Sequence, residues 1–148
     1  METKNLYMVR IKTVREKKIQ YCGECITSSE KACDIVRPII GDSDKEVVVT
    51  MCLDAKLRPV TIERTAIGTT DQCMVLPKEI LKTAILSNAR GIMVFHNHPS
   101  GNIEPSHQDR FMTRGLNLLC DLMGFELIDH IILSDEDYYS FNENGGLK

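Results

Sequence analysis

The sequence predicts a mixed α/β fold: a single domain with a mostly antiparallel, mixed β-sheet flanked by helices. Three observations carry this. Strand-like and helix-like segments alternate; two short turns, Asp54-Ala55-Lys56 and Ser134–Asp137, fold strands back as hairpins; and the apolar runs are all short. Alternation alone would suit a doubly wound parallel sheet, but hairpins make antiparallel neighbours. The 148 residues fit one domain, and 43% apolar side chains suffice for a core.

The elements follow in order. Residues 1–20 are charged and weakly patterned, an N-terminal arm or an edge strand, with the domain proper over 21–148. Thr27 and Glu30 have the spacing of a capping box, opening a helix over Ser29 to Val36 that Pro38 stops. Glu46 to Leu53 is a strand, returning over Leu57 to Ile67. Pro77 suits the first turn of a helix on which Ile80, Leu81, Ala84 and Ile85 repeat, with Gly91 closing its end. Gly91 to Phe95 is a short buried strand, followed by the loop His96 to Pro105. Ser106 caps the next helix, with Met112, Gly115, Leu116, Leu119 and Met123 on one stripe and Gly124 at its end. A glycine inside a helix costs about 1 kcal/mol relative to alanine, so Gly115 predicts a close contact. Phe125 to Leu133 and Tyr138 to Phe141 are the last strands.

The net charge of −3 argues against a broad basic surface for nucleic acid, since such binding needs clustered Lys and Arg to replace counterions. No basic start precedes a long apolar run, and no apolar stretch reaches bilayer length, which predicts a cytoplasmic protein. Cys22, Cys25, Cys33, Cys52, Cys73 and Cys120 are then reduced thiols, Cys52 and Cys120 as small buried side chains.

The densest set of potential ligands lies between His96 and Asp109. His98 precedes Pro99, which favours an extended backbone, and residues two apart on an extended segment point the same way. His96 and His98 therefore project together. Asp109 sits in the first turn of the helix capped by Ser106, so its carboxylate can face back toward them. Each residue alone has an ordinary structural role: a hydrogen-bonded histidine, a carboxylate at a helix N-terminus, a cap. Together, with Pro99 and Pro105 restricting the loop, they read as a zinc site with two imidazoles, one carboxylate and a position left for water. Such a site activates water for hydrolysis, and Ser106 is placed to donate to a developing oxyanion.

The run His96-x-His98, seven residues beginning with Pro99, Ser106-x-x-Asp109 resembles the JAMM motif of the MPN-plus superfamily. The words FHNHPSG, EPSHQD and LIDHIIL resemble the bacterial RadC family, historically labelled DNA repair proteins, over roughly residues 20 to 142. The resemblance implies a JAMM/MPN fold with a cytidine-deaminase-like layout, Zn2+ on His96, His98 and Asp109, and a glutamate on an earlier strand as general base. Lys45-Glu46-Val47-Val48 matches that position, which assigns Glu46, with Glu63 on the return strand as the alternative. It further implies a metallopeptidase-like hydrolase acting on an amide or isopeptide bond in a peptide or protein conjugate. The alternative is a non-enzymatic DNA-repair accessory or protein-binding module on the same fold. Longer members carry an N-terminal helix-hairpin-helix region associated with DNA binding. This sequence is expected to lack it, so strong nucleic-acid binding is not expected. Many members also have His-Pro where this chain has Leu76-Pro77.

Other candidates carry less. Cys22-Gly23-Glu24-Cys25 has metal or redox spacing but no second pair, so chance spacing in a turn is favoured. His130, in an apolar strand, reads as a core residue, with support of the metal site as the alternative. His107 faces solvent. Arg110 and Arg114 read as a solvated helix face sooner than a grip on an acidic substrate, and Tyr138, Tyr139 and Phe141 as strand packing.

Overall fold

A computed structural model describes residues 4–40, 42–68 and 75–148; Cys73 lies outside them. The order is α1 (Ser29–Ile40), β1 (Val47–Leu53), β2 (Pro59–Ile67), α2 (Pro77–Leu86), β3 (Gly91–Asn97), α3 (His107–Met123), β4 (Glu126–Leu133) and β5 (Tyr138–Ser140). One sheet runs β2-β1-β3-β4-β5. Only β3 and β4 pair in parallel, joined through α3; the other neighbours are antiparallel. The expected mixed, mostly antiparallel sheet with flanking helices is the fold observed. Residues 4–20 join no strand of it.

The sheet is covered on both faces. Ala32, Cys33, Val36 and Ile40 of α1 pack on Val49, Met51, Phe95 and Ile131. On the other face Ile80, Leu81 and Ala84 of α2, with Leu116 and Cys120 of α3, pack on Val48, Cys52, Ile92 and Val94. Hence β1 and β3 are buried at every residue, as unbroken apolar strings such as Val47-Val48-Val49 require. Burial pushes the Cys33 thiol up to about 12 and Cys120 up to about 11, so both stay protonated. No helix among the described residues is long and apolar enough to cross a membrane.

Several local expectations are corrected. Ser28, not Thr27, caps α1: its hydroxyl accepts from Lys31 N–H at 3.3 Å. Pro38 does not stop that helix. It deletes one hydrogen bond near the end, while Ile40 beyond it is buried and rewards the extra half-turn. Helix α2 ends at Ser87, so Gly91 is the first residue of β3 and not a helix cap. A Cβ on Gly91 would stand 2.6 Å from Ile128 Cδ1 and 3.1 Å from Glu126 O; a Cβ on Gly115 would meet nothing within 4 Å among the described residues. The close contact thus belongs to Gly91, and Gly115 has none among the described residues. The buried stripe of α3 is Asp109, Thr113, Leu116 and Cys120; Met123 is exposed. The predicted caps Ser106 and Gly124 (φ 79°), and Pro77 in the first turn of α2, are as observed.

Candidate metal centre

Three elements converge at one end of the sheet. In an antiparallel pair, opposed residues share a face. Val48 opposes His96, and Val48 and Val94 pack against the α2/α3 layer. His96 therefore points at α3, and His98, two residues on, follows it. Asp109 faces them from the first turn of α3 because Ser106 starts the helix there. The Ser106 hydroxyl accepts from Asp109 N–H (3.1 Å), and Ser106 N–H donates to Asp109 Oδ2 (2.8 Å), a complete capping box.

The three side chains offer ligand atoms that all lie within 4.8 Å of one another. His96 Nε2 is 3.1 Å from His98 Nε2 and 3.2 Å from Asp109 Oδ1, and His98 Nε2 is 3.3 Å from Asp109 Oδ2. Donors at about 2.0–2.2 Å from a tetrahedral cation are about 3.3–3.6 Å apart. The triangle thus matches a small tetrahedral cation with little rearrangement. His98 Nδ1–H donates to the Asn102 carbonyl at 2.7 Å, which leaves its Nε2 lone pair facing the triangle. Two imidazole nitrogens and a carboxylate are a donor set for a first-row divalent cation.

The electrostatics agree. Burial works to raise the Asp109 pKa, but hydrogen bonds from His96 and His98 outweigh it and hold the carboxyl far below the usual range. The hydrogen bond to Asp109 raises the His98 pKa, with the charge of Glu46 adding to it. The cluster sets two imidazoles against one carboxylate, and a divalent cation would fit between them.

Glu46 stands one residue before β1, half-buried, its carbonyl accepting from Gly68 N–H at 2.7 Å. Extending the register of Val48 and His96 by two residues sets Glu46 opposite His98, on the same face. Glu63 pairs with Thr50 on the far side of β1, and its carboxylate accepts from the Thr83 hydroxyl of α2. The Ser106 hydroxyl points its proton at Asp109 Oδ2 (2.7 Å).

Sequence reasoning missed or misjudged three supporting residues. His130 is fully buried, but it is more than core: its Nε2 lies 2.9 Å from His96 Nδ1, and its ring stacks on Phe141. Thr113, one turn after Asp109, contacts His130 Nδ1 at 2.6 Å. The spacing of Asp109 and Thr113 was the available signal, since residues four apart share a helix face. Asn97, between the two histidines, bonds backbone on both sides of Glu46. Cys22 and Cys25 are exposed thiols, His107 is exposed, and Arg110 stands 3.8 Å from Glu104.

A groove opens beside His98. Asp42, Asp44, Asp135 and Glu136 line it, against Arg37.

A family model described as a RadC-like JAB domain matches residues 26–147. A Thermotoga maritima protein is 40% identical over 104 residues, covering 70% of this chain and 47% of the relative. One from Actinobacillus pleuropneumoniae serotype 5b is 45% identical over 100 residues, covering 68% and 46%. One from Histophilus somni strain 2336 is 35% identical over 129 residues, covering 87% and 58%. All three are called UPF0758 proteins, a name that states no activity. The chain spans about half the length of most of the curated relatives it matches.

Proposed function

The chain belongs to the RadC family of JAB domains, and from that premise we propose that it is a zinc-dependent hydrolase of JAMM type, cleaving an amide or isopeptide bond. The observation that carries this reading is the triangle of His96 Nε2, His98 Nε2 and Asp109 at tetrahedral donor separations. Three protein ligands leave a fourth position, the pattern of a catalytic and not a structural site.

Zinc held there would act as a Lewis acid that lowers the pKa of water toward neutrality. The chain's own residues do the rest. Glu46, opposite His98, takes a proton from the attacking water and delivers it to the leaving amine, a role worth about 10²–10⁴-fold in rate. The Ser106 hydroxyl donates to the oxyanion that forms on the scissile carbonyl. For that it must release Asp109 Oδ2, which Ser106 N–H still holds. The substrate chain lies in the groove beside His98. The carboxylates there favour a peptide or protein conjugate carrying basic groups over a nucleic acid.

The test has two parts. Purified protein is expected to bind close to one zinc per chain, removable by chelators, and His98→Ala to lose it. The zinc-loaded protein is then offered isopeptide-linked and linear peptide substrates with basic flanks. Absence of zinc after reconstitution would overturn the metal centre. Zinc bound without any hydrolysis would favour a binding module on the same fold.

A further inference from the structure

The contacts behind His96 form a hydrogen-bonded chain whose direction can be read from its far end. Thr113 Oγ1 lies 2.6 Å from the Asp109 backbone carbonyl, and a carbonyl can only accept. The hydroxyl proton must occupy that contact, since otherwise two oxygens would meet lone pair to lone pair. With its proton so placed, Thr113 can only accept from His130, so Nδ1 of His130 carries hydrogen. The ring of His130 is wholly buried and its nitrogens meet only Thr113 and His96 among the described residues, so it is the neutral imidazole. Its Nε2 then holds a lone pair, and His96 Nδ1–H must donate to it across 2.9 Å. A hydrogen fixed on Nδ1 leaves Nε2 of His96 as the coordinating nitrogen, and that atom faces His98 and Asp109.

We propose that Thr113 and His130 are positioning residues that set the tautomer of His96, so that its Nε2 lone pair is presented to a divalent cation. The reversed chain is the metal-blocking state: Thr113 donating to His130, His130 Nε2–H donating to His96, and the remaining hydrogen of His96 on Nε2. The contact between Thr113 and the Asp109 carbonyl opposes that reversal. Because Asp109 is itself one of the three cation-facing groups, the helix turn that supplies a ligand also orients the imidazole beside it. His98 needs no such relay, having the Asn102 carbonyl as direct acceptor.

The inference rests on the metal-centre reading but not on hydrolysis, and its test reads hydrogens. The chain has four histidines, His96, His98, His107 and His130, so ring nitrogen resonances can be assigned by single substitutions. Long-range ¹H–¹⁵N spectra of the metal-free protein are expected to show His130 as the neutral Nδ1–H form. The zinc-loaded protein is expected to keep Nδ1–H on both His130 and His96. Thr113→Val removes the hydroxyl at equal size and is expected to weaken zinc binding about 10–100-fold in chelator competition. Thr113→Ser restores the hydroxyl and is expected to bind within a few-fold of wild type. Hydrogen on Nε2 of His130 would overturn the proposal, as would equal zinc affinity in Thr113→Val. If Thr113→Val fails to fold, the wild-type spectra decide alone. Zinc bound with the expected tautomers but without hydrolysis would sink the hydrolase reading and leave this one standing.

Discussion

The side-chain amide of Asn97 grips the backbone on both sides of Glu46. Its Oδ1 accepts from Val47 N–H at 2.8 Å, and its Nδ2 donates to the Lys45 carbonyl at 3.1 Å. The residue between two metal-facing histidines thus fixes the segment carrying the candidate base. Asn97→Ala leaves the buried Val47 N–H without its acceptor, at a cost of about 1–3 kcal/mol. Urea unfolding should show that loss. Zinc affinity should stay within a few-fold, while hydrolysis falls as Glu46 loses its anchor. A variant of unchanged stability would show that the amide does not hold this segment.

Glu46 and Glu63 separate cleanly in the fold. Glu63 sits on β2, two strand spacings or about 10 Å from β3, and is engaged by Thr83. Glu46→Gln is expected to keep zinc and lower turnover by about 10²–10⁴-fold. Glu63→Gln should leave turnover unchanged and alter stability through the Thr83 contact. Steady-state kinetics on zinc-loaded variants decide this, and the opposite pattern would move the base to Glu63.

Much of this site was legible because its residues lie close together in the chain. His96 and His98 gain a shared face from strand geometry, and Ser106 with Asp109 is a local capping signal. What stayed hidden depends on register. A bulge in β4 shifts the pairing between Ile92 and Met93, so Leu127 faces α3 while Asp129 faces α1. No composition cue marks that phase change, and with it the contact of His130 with His96 was out of reach. Asn97 was hidden for a different reason, since its partners lie fifty residues away across a strand pair. Thr27 and Ser28 are equally good caps on paper, and only the entry angle of the chain chooses between them.

Asp129 makes stability depend on pH. Burial raises its pKa, against hydrogen bonds from Ser140, Asn142 N–H and Ser29. A carboxyl whose folded pKa is raised binds its proton more tightly in the native state. Its contribution is full below the unfolded value of about 3.9 and is lost as pH rises through the folded pKa. Asp129→Asn does not ionise, and Ser29 and Ser140 can turn to accept from the amide. The stability of the variant relative to wild type should therefore rise as pH climbs from about 4 through the raised pKa, then level off. Urea unfolding of both proteins across that range measures it. A difference independent of pH would refute the assignment.

The two glycines make opposite predictions. Gly91→Ala drives a Cβ to within 2.6 Å of Ile128 Cδ1 and 3.1 Å of the Glu126 carbonyl. The isoleucine can turn away, but the carbonyl belongs to the sheet, so the cost should be about 1–3 kcal/mol. Gly115→Ala meets nothing within 4 Å among the described residues and should gain up to about 1 kcal/mol from helix propensity. Thermal melts of the two variants should shift in opposite directions.

The last prediction concerns nucleic acid. The groove that reaches His98 presents Asp42, Asp44, Asp135 and Glu136 against Arg37, and the chain carries a net charge of −3. A phosphate backbone laid there would meet carboxylates where binding needs ammonium or guanidinium groups to displace counterions. Binding of this chain to single-stranded, duplex or branched DNA should therefore be weak and salt-sensitive, about 10⁻⁴–10⁻⁶ M at physiological salt, as for non-specific contacts. Replacing Asp135 and Glu136 with Asn and Gln should strengthen DNA binding, because it removes repulsion without adding a contact. The same change should weaken a peptide with basic flanks. Fluorescence titrations with both ligands and both proteins read the two effects side by side. Nanomolar DNA binding by the wild type, unaffected by the substitutions, would place the nucleic-acid surface elsewhere on the molecule and favour the repair-accessory role over the peptide substrate.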